Sequence, residues 1–177
     1  MVWRAHAEAH NQVLSWLNMG ATPKLELLYR ASNDGFEGRD FHSRCDNKST
    51  TVTMIKCTDS YVFGGFTSTS WASTSAYVAC ANAFIFSIHR PGGVSPVKLA
   101  PRAMETEHAI FDWPTCGPRF GLVDIDMQST SNIYAKNSTN LNSYVLPPGY
   151  PPVDASAFFT GTSKFRAGEV EVFRVLA

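Results

Sequence analysis

The ten residues from Val62 to Trp71, Val62-Phe63-Gly64-Gly65-Phe66-Thr67-Ser68-Thr69-Ser70-Trp71, constrain the fold more than any other stretch of this chain. A strand-like start runs into paired glycines, an aromatic, a hydroxyl-rich run and a tryptophan. Paired glycines inside a β pattern mark a bulge or the close approach of another backbone. At least one of Gly64 and Gly65 is therefore expected to hold a positive φ or to face a close-packed backbone.

The segments around this run also read as β. Thr50 to Cys57 is rich in β-branched residues and joins Tyr61 to Phe66 across the Asp59-Ser60 turn, which predicts a hairpin. Phe84, Phe86 and Ile88 alternate in a third strand that ends at Arg90-Pro91-Gly92-Gly93. His108 to Trp113 reads as a fourth strand and Phe120 to Met127 as a fifth. Gln128 to Ser143 is polar and reads as a surface loop, and Pro147 to Pro152 as a stiff, extended segment. Glu169 to Val175 closes the chain as a strand. Its period places Val170, Val172 and Arg174 on one face and Glu169, Glu171 and Phe173 on the other.

Two segments read as helices. Ala5 to Asn18 carries an apolar stripe, with Gly20 as a C-cap and Pro23 preventing continuation. Ser32-Asn33-Asp34 supplies N-cap chemistry for a helix from about Gly35 to Cys45, which would bury Phe36, Phe41 and Cys45. Many short strands with few helices predict a mostly β (α+β) fold, a two-sheet antiparallel β-sandwich flanked by short helices. Residues 1–24 read as a helix and lead-in of the same domain, and residues 25–177 as the sandwich.

A chain of 177 residues with 44% hydrophobic content is long enough to bury one core. Fifteen basic and fifteen acidic residues cancel and form no basic stripe, so neither nucleic acid nor an anionic membrane surface is an evident partner. No apolar run approaches the roughly 20 residues of a membrane span. The first residues lack the uninterrupted apolar stretch of a signal peptide. Cys45, Cys57, Cys80 and Cys116 contain no C-x-x-C pair and read as isolated buried thiols; two disulfides in a secreted chain are the alternative.

The order and spacing of several segments resemble a TLDc domain, the module of the oxidation-resistance and nuclear-receptor-coactivator proteins. They are Leu27 to Phe36, Phe41-His42, Cys45-Asp46, the glycine run to Trp71, Ala83 to Ile88, Gly117-Pro118-Arg119-Phe120-Gly121 and Phe165 to Phe173. Together they span about Leu25 to Val175. The resemblance implies a two-sheet sandwich flanked by helices and a cytoplasmic, non-enzymatic interaction domain. It further implies a link to oxidative-stress protection and a protein partner, with the vacuolar proton-pumping ATPase as the specific candidate. Leu122-Val123-Asp124 follows Gly121 where relatives carry further glycines, and Asn47 to Thr50 replaces a turn that commonly holds Gly and Pro.

The residues themselves carry several candidate chemistries. His6 and His10 share a helix face but lack the metalloprotease Glu, and no third ligand follows, so no metal set is assigned. Asp124 and Asp126, like Glu169 and Glu171, alternate along strands. Each pair fits either a cation or shared-proton site or a solvent-facing strand face, and the second reading is preferred. Cys45 lies near Arg44 and His42, a setting that lowers a thiol pKa, although an inert buried thiol is the preferred reading. The hydroxyl loop around Trp71 suits polar ligands or plain turn capping. No nucleophile elbow or phosphate cradle is present, so no catalytic or cofactor residue is assigned. Asp34, Trp71, Asp124, Glu169 and Glu171 are the candidates for an interaction surface. Two rival readings stay open. One is a hydrolase using the paired carboxylates or His42 and Cys45. The other is an extracellular carbohydrate-binding sandwich, for which Asn47 and Asn137 offer glycosylation sequons.

Overall fold

The computed structural model describes residues 2, 7–17, 23–93, 95–150 and 153–176. Helix α1 (Ala7–Leu17) precedes strand β1 (Lys24–Arg30), the single turn α2 (Ala31–Asp34) and helix α3 (Gly38–Cys45). Strands β2 (Thr51–Cys57), β3 (Val62–Thr67), β4 (Ala76–Val78), β5 (Phe84–His89) and β6 (Val97–Pro101) follow. After a 3-10 turn at Thr106–His108 come β7 (Ile110–Asp112), β8 (Arg119–Phe120), β9 (Ile125–Asp126), β10 (Asn137–Thr139), β11 (Tyr144–Val145), β12 (Lys164–Phe165) and β13 (Ala167–Leu176).

The strands form two antiparallel sheets. One runs β1-β13-β2-β3-β5-β6-β11 and the other β12-β10-β9-β8-β7-β4. The predicted sandwich with peripheral helices is therefore the observed fold. The central strands of the larger sheet are buried on both faces, while its edge strand β1 stays largely exposed. Tyr29, Ile55, Phe63, Ile85, Leu99, Val170 and Val172 join the main core with Ile110, Phe120, Ile125 and Phe165 of the smaller sheet. Val52, Met54, Phe66, Phe84, Phe86, Phe173 and Val175 form a second core with Val13 and Leu17 of α1. A strand covered on both sides has no need of polar alternation. That explains why β2, β3 and β5 are almost continuously apolar.

The predicted hairpin of β2 and β3 is present, with Val52 opposite Phe66 and Ile55 opposite Phe63. Gly64 and Gly65 have ordinary strand angles, so the positive-φ expectation fails. The close-approach expectation holds. A Cβ on Gly64 would collide with the Thr53 carbonyl oxygen, and one on Gly65 would lie 2.6 Å from the Phe120 ring. The register shift between β3 and β5 falls at Val62/Phe63, next to the glycines.

Four expectations are corrected. The helix expected from about Gly35 begins at Gly38, because the residues expected to cap it, Ser32 to Asp34, themselves lie in the turn α2, which Gly35 ends at φ 109°. The Asp34 carboxylate turns back to accept from the Arg30 N–H at 2.9 Å. A capping box of Glu37 and Asp40 then starts α3 afresh. The strand expected from Phe120 to Met127 is the tight pair β8–β9, reversed where Gly121 and Val123 both hold left-handed angles. The loop expected from Gln128 to Ser143 contains β10, whose Asn137 is buried. Of the segment expected to be extended, Pro147 to Tyr150 closes a turn, with Tyr150 N–H donating to Pro147 O at 3.2 Å. Pro151 and Pro152 lie outside the described residues.

The final strand carries a direct test of the packing. Val170 and Val172 are buried in the main core as the two-residue period requires. Val172→Asp would place an unpaired carboxylate there, and a loss of about 3 kcal/mol or more is expected. A thermal or urea melt checks it; an unchanged midpoint would refute the register.

Candidate functional site

Among the described residues, one grouping of three potential metal-ligating side chains sits where α3 meets β7. His42 lies in the last turn of α3, Asp46 follows the helix, and Asp112 ends β7. A parallel bridge between Asp46 and Trp71 and the Asn47 N–H to Trp71 O bond (2.8 Å) bring the loop after Trp71 alongside. Asp112 clamps that loop. Its Oδ2 accepts from the N–H groups of Ala72 and Thr74 and from the Thr74 hydroxyl, each at 3.0 Å. Ser73 and Ser75 hold left-handed angles in this loop.

Three potential ligand atoms face one another inside this frame. His42 Nδ1 is 2.7 Å from Asp46 Oδ1 and 3.9 Å from Asp112 Oδ1. All three lie within 4.8 Å of one another. His42 and Asp112 are buried, whereas the Asp46 side chain keeps 22% exposure. The remaining polar atoms are occupied. His42 Nε2 donates to the Trp113 carbonyl at 3.0 Å, and Ser73 Oγ donates to Asp46 Oδ2 at 2.7 Å. Ser73 thus bonds the carboxylate and not the imidazole, so these groups are not ordered as a serine–histidine–aspartate relay.

Beside this cluster the smaller sheet shows an aromatic row. Tyr77 of β4 pairs with Phe111 of β7. Their rings are 4.5 Å apart, and the Trp113 ring stacks 5.5 Å beyond Phe111. Tyr77 is 41% and Trp113 39% exposed. Arg119 lies over Phe111 at 4.6 Å and is held by Asp126 at 2.6 Å. Strand β4 is the edge of this sheet. A cleft of about 320 Å³ lies elsewhere, lined by Tyr61, Arg90, Asp154 and Phe158 among others. It contains none of the carboxylate pairs, His42 or Cys45.

The structure scatters the residues expected to form one surface. Trp71 is fully buried between Phe41 and Phe120, and its indole N–H donates to the Thr51 hydroxyl at 3.2 Å. It offers no face to a ligand, because the hydroxyl run turns it inward. Asp124 is also buried, and its carboxylate accepts from the backbone N–H groups of Asn142, Ser143 and Tyr144 at 2.8–3.0 Å. Burial raises its pKa, and these bonds offset part of the rise. Glu171 is buried in an ion pair with Arg30 at 3.1 Å. Glu169 is partly exposed and accepts from Ser32 N–H at 3.0 Å. Asp34 is partly exposed and pairs with Arg44 at 3.0 Å. The solvent-facing reading thus fails for both Asp124 and Asp126 and for Glu171. These strands are covered on both faces or anchor neighbouring loops.

The histidine and cysteine expectations separate. His6 lies outside the described residues, so the His6/His10 pair is not placed. All four cysteines are free and buried. Burial pushes the Cys45 thiol up, with Asp46 and Asp34 adding to the rise, which agrees with the preferred reading of an inert buried thiol and not with the lowered pKa weighed against it. Cys80, which no sequence pattern singled out, behaves oppositely. Burial acts to raise it, but hydrogen bonds from Ser68, Thr67 and Thr69 outweigh that and bring it to about 7. Asn137 spends its amide on Ser131 O, Phe165 O and Gln128 N–H in the interior. That sequon is therefore closed to a glycan in the folded chain. Asn47 is exposed.

A two-sheet sandwich in which α3 packs beside β1 and reaches the end of β7 through His42 is the class that fold and site define. The chain matches the TLDc domain family over residues 6–176, and it belongs to that family. None of the curated proteins compared with it matches.

Two measurements follow from these environments. Glu171→Gln removes the charge opposite Arg30 inside the fold and should cost about 1–3 kcal/mol. Glu169→Gln keeps an acceptor for Ser32 and should change stability by no more than about 0.5 kcal/mol; parallel urea melts compare them. For the thiols, the reactive thiolate grows as pH rises through the pKa. Alkylation at Cys80 should therefore climb as pH passes through about 7, while Cys45 and Cys57, both pushed up by burial, stay unlabelled. Peptide-resolved mass spectrometry reads the order, and equal labelling of all three would contradict it.

Proposed function

We propose that this domain acts as a non-enzymatic interaction module that contributes to oxidative-stress protection by binding a protein partner, with the vacuolar proton-pumping ATPase as the specific candidate. Family membership supports the general reading. The observation that carries it on this chain is the row of Tyr77, Phe111 and Trp113 beside an edge strand. Aromatic and arginine side chains are enriched at protein interfaces, because they cover large areas at small entropic cost. Arg119, itself largely buried, backs the row by lying over Phe111 while Asp126 fixes its position.

The carboxylates weighed for hydrolysis support the same reading. Asp124 caps backbone, Asp126 holds Arg119, and Glu171 holds Arg30. Each is committed to a separate structural partner, so the pairs do not act together as acid and base.

The test is retention of the intact proton-pump V1 sector by the immobilised domain. Wild type is expected to retain it, and Trp113→Ala together with Tyr77→Ala to lower affinity at least about 30-fold, as loss of an interface hot spot does. No retention by wild type would remove this partner. Unchanged retention by the double variant would move the contact surface off the aromatic row.

A further inference from the structure

We propose that His42, Asp46 and Asp112 form a site for one divalent transition-metal ion of the zinc type. This does not depend on the partner reading above. Two features of hydrogen-bond chemistry point to a cation. The His42 ring has acceptors on both sides, the Trp113 carbonyl at Nε2 (3.0 Å) and the Asp46 carboxylate at Nδ1 (2.7 Å). Two acceptors are satisfied only by two N–H groups, or by one N–H and a cation. Independently, Asp112 Oδ1 is fully buried and has no hydrogen-bond partner among the described residues, yet it is directed into the same space. A buried carboxylate oxygen without a donor is costly unless a charge lies against it.

The surroundings match a metal shell. A ligating histidine commonly donates its other ring N–H to a backbone carbonyl, as His42 does to Trp113. Each carboxylate has one oxygen tied down, Asp112 Oδ2 by Ala72 and Thr74 and Asp46 Oδ2 by Ser73. The other oxygen of each remains for an ion. Zinc about 2.0–2.1 Å from each donor sets tetrahedral ligands roughly 3.4 Å apart. That falls between the 2.7 Å and 3.9 Å separations of the His42 nitrogen from the two carboxylates. An imidazole nitrogen among the donors favours zinc over magnesium or calcium, which prefer all-oxygen shells. The partial exposure of Asp46 leaves an entry path and a fourth position for water.

The experiment is calorimetric titration of the chelator-stripped domain with Zn²⁺, and separately with Mg²⁺. Cobalt absorption then reports the geometry. Wild type should bind a single zinc ion per chain and no magnesium, and cobalt should give the bands of a tetrahedral site. Asp112→Asn keeps an oxygen for the Ala72 and Thr74 donors while replacing the ligating oxygen, so it should fold and lose zinc. His42→Asn should lose it as well, and Ser73→Ala should weaken it about 10–100-fold, as loss of an outer-shell partner does. Asp46→Asn, at the partly exposed position, guards against misfolding of the buried variants, with circular dichroism as the fold check. Absence of stoichiometric zinc in wild type would overturn the proposal. So would zinc binding that survives His42→Asn or Asp46→Asn with the fold intact, because the ion would then sit elsewhere.

Discussion

The Phe120 ring lies against Gly65, and much of the molecule is arranged around that contact. A Cβ there would stand 2.6 Å from the ring, so only glycine lets the smaller sheet come this close to the larger. Phe120 in turn meets Trp71 edge-on at 5.8 Å, and Trp71 meets Phe41 at 5.2 Å. The series carries packing from the sheet interface out to α3. Edge-to-face pairs of this kind contribute about 0.5–1.5 kcal/mol each beyond their area. Their larger effect here is positional. They fix the helix whose next residue after Phe41 is His42.

Burial of the larger sheet's central strands on both faces divides the molecule's labour. They are covered by α1 on one side and by the smaller sheet on the other. Little of its side-chain chemistry reaches solvent, and Glu171 shows the consequence, since even a charged position on β13 is drawn into an interior pair. The smaller sheet presents its outer face instead. Tyr77, Phe111, Trp113 and Arg119 all belong to it or to its margins, and so does Asp112.

Long, strongly apolar elements were legible in the sequence, and short or mutually dependent ones were not. The β2–β3 hairpin and β13 follow from β-branched content and turn chemistry. Strands β4, β10 and β11 do not, because two or three residues carry no period and exist only by pairing with distant neighbours. The glycine pair was legible as a packing constraint, although its neighbours were not. Trp71 resembled a surface residue because its flanks are hydroxyls, yet those hydroxyls serve the backbone and Cys80 while the indole faces the core. The carboxylates misled for a related reason. Alternation along a strand fixes which side a residue takes, but not whether that side is covered. Asp112 carried no signal at all, since its meaning arises only from the return of β7 to the end of α3.

The cluster and the aromatic row meet at a single residue. The Trp113 backbone carbonyl receives the His42 Nε2 proton, and its side chain forms the end of the exposed row. The hydrogen bond from His42 Nε2, whose ring is held at Nδ1 by Asp46, helps fix that peptide plane, and with it the direction in which the indole leaves the chain. Whatever charge occupies the space among His42, Asp46 and Asp112 therefore also sets how firmly Trp113 is presented. Few-residue strands and left-handed loop positions are individually weak, and cross-braces from buried side chains are what hold them in one arrangement. In this domain one such brace is the polar cluster of His42, Asp46 and Asp112, joined to the surface row through the Trp113 carbonyl.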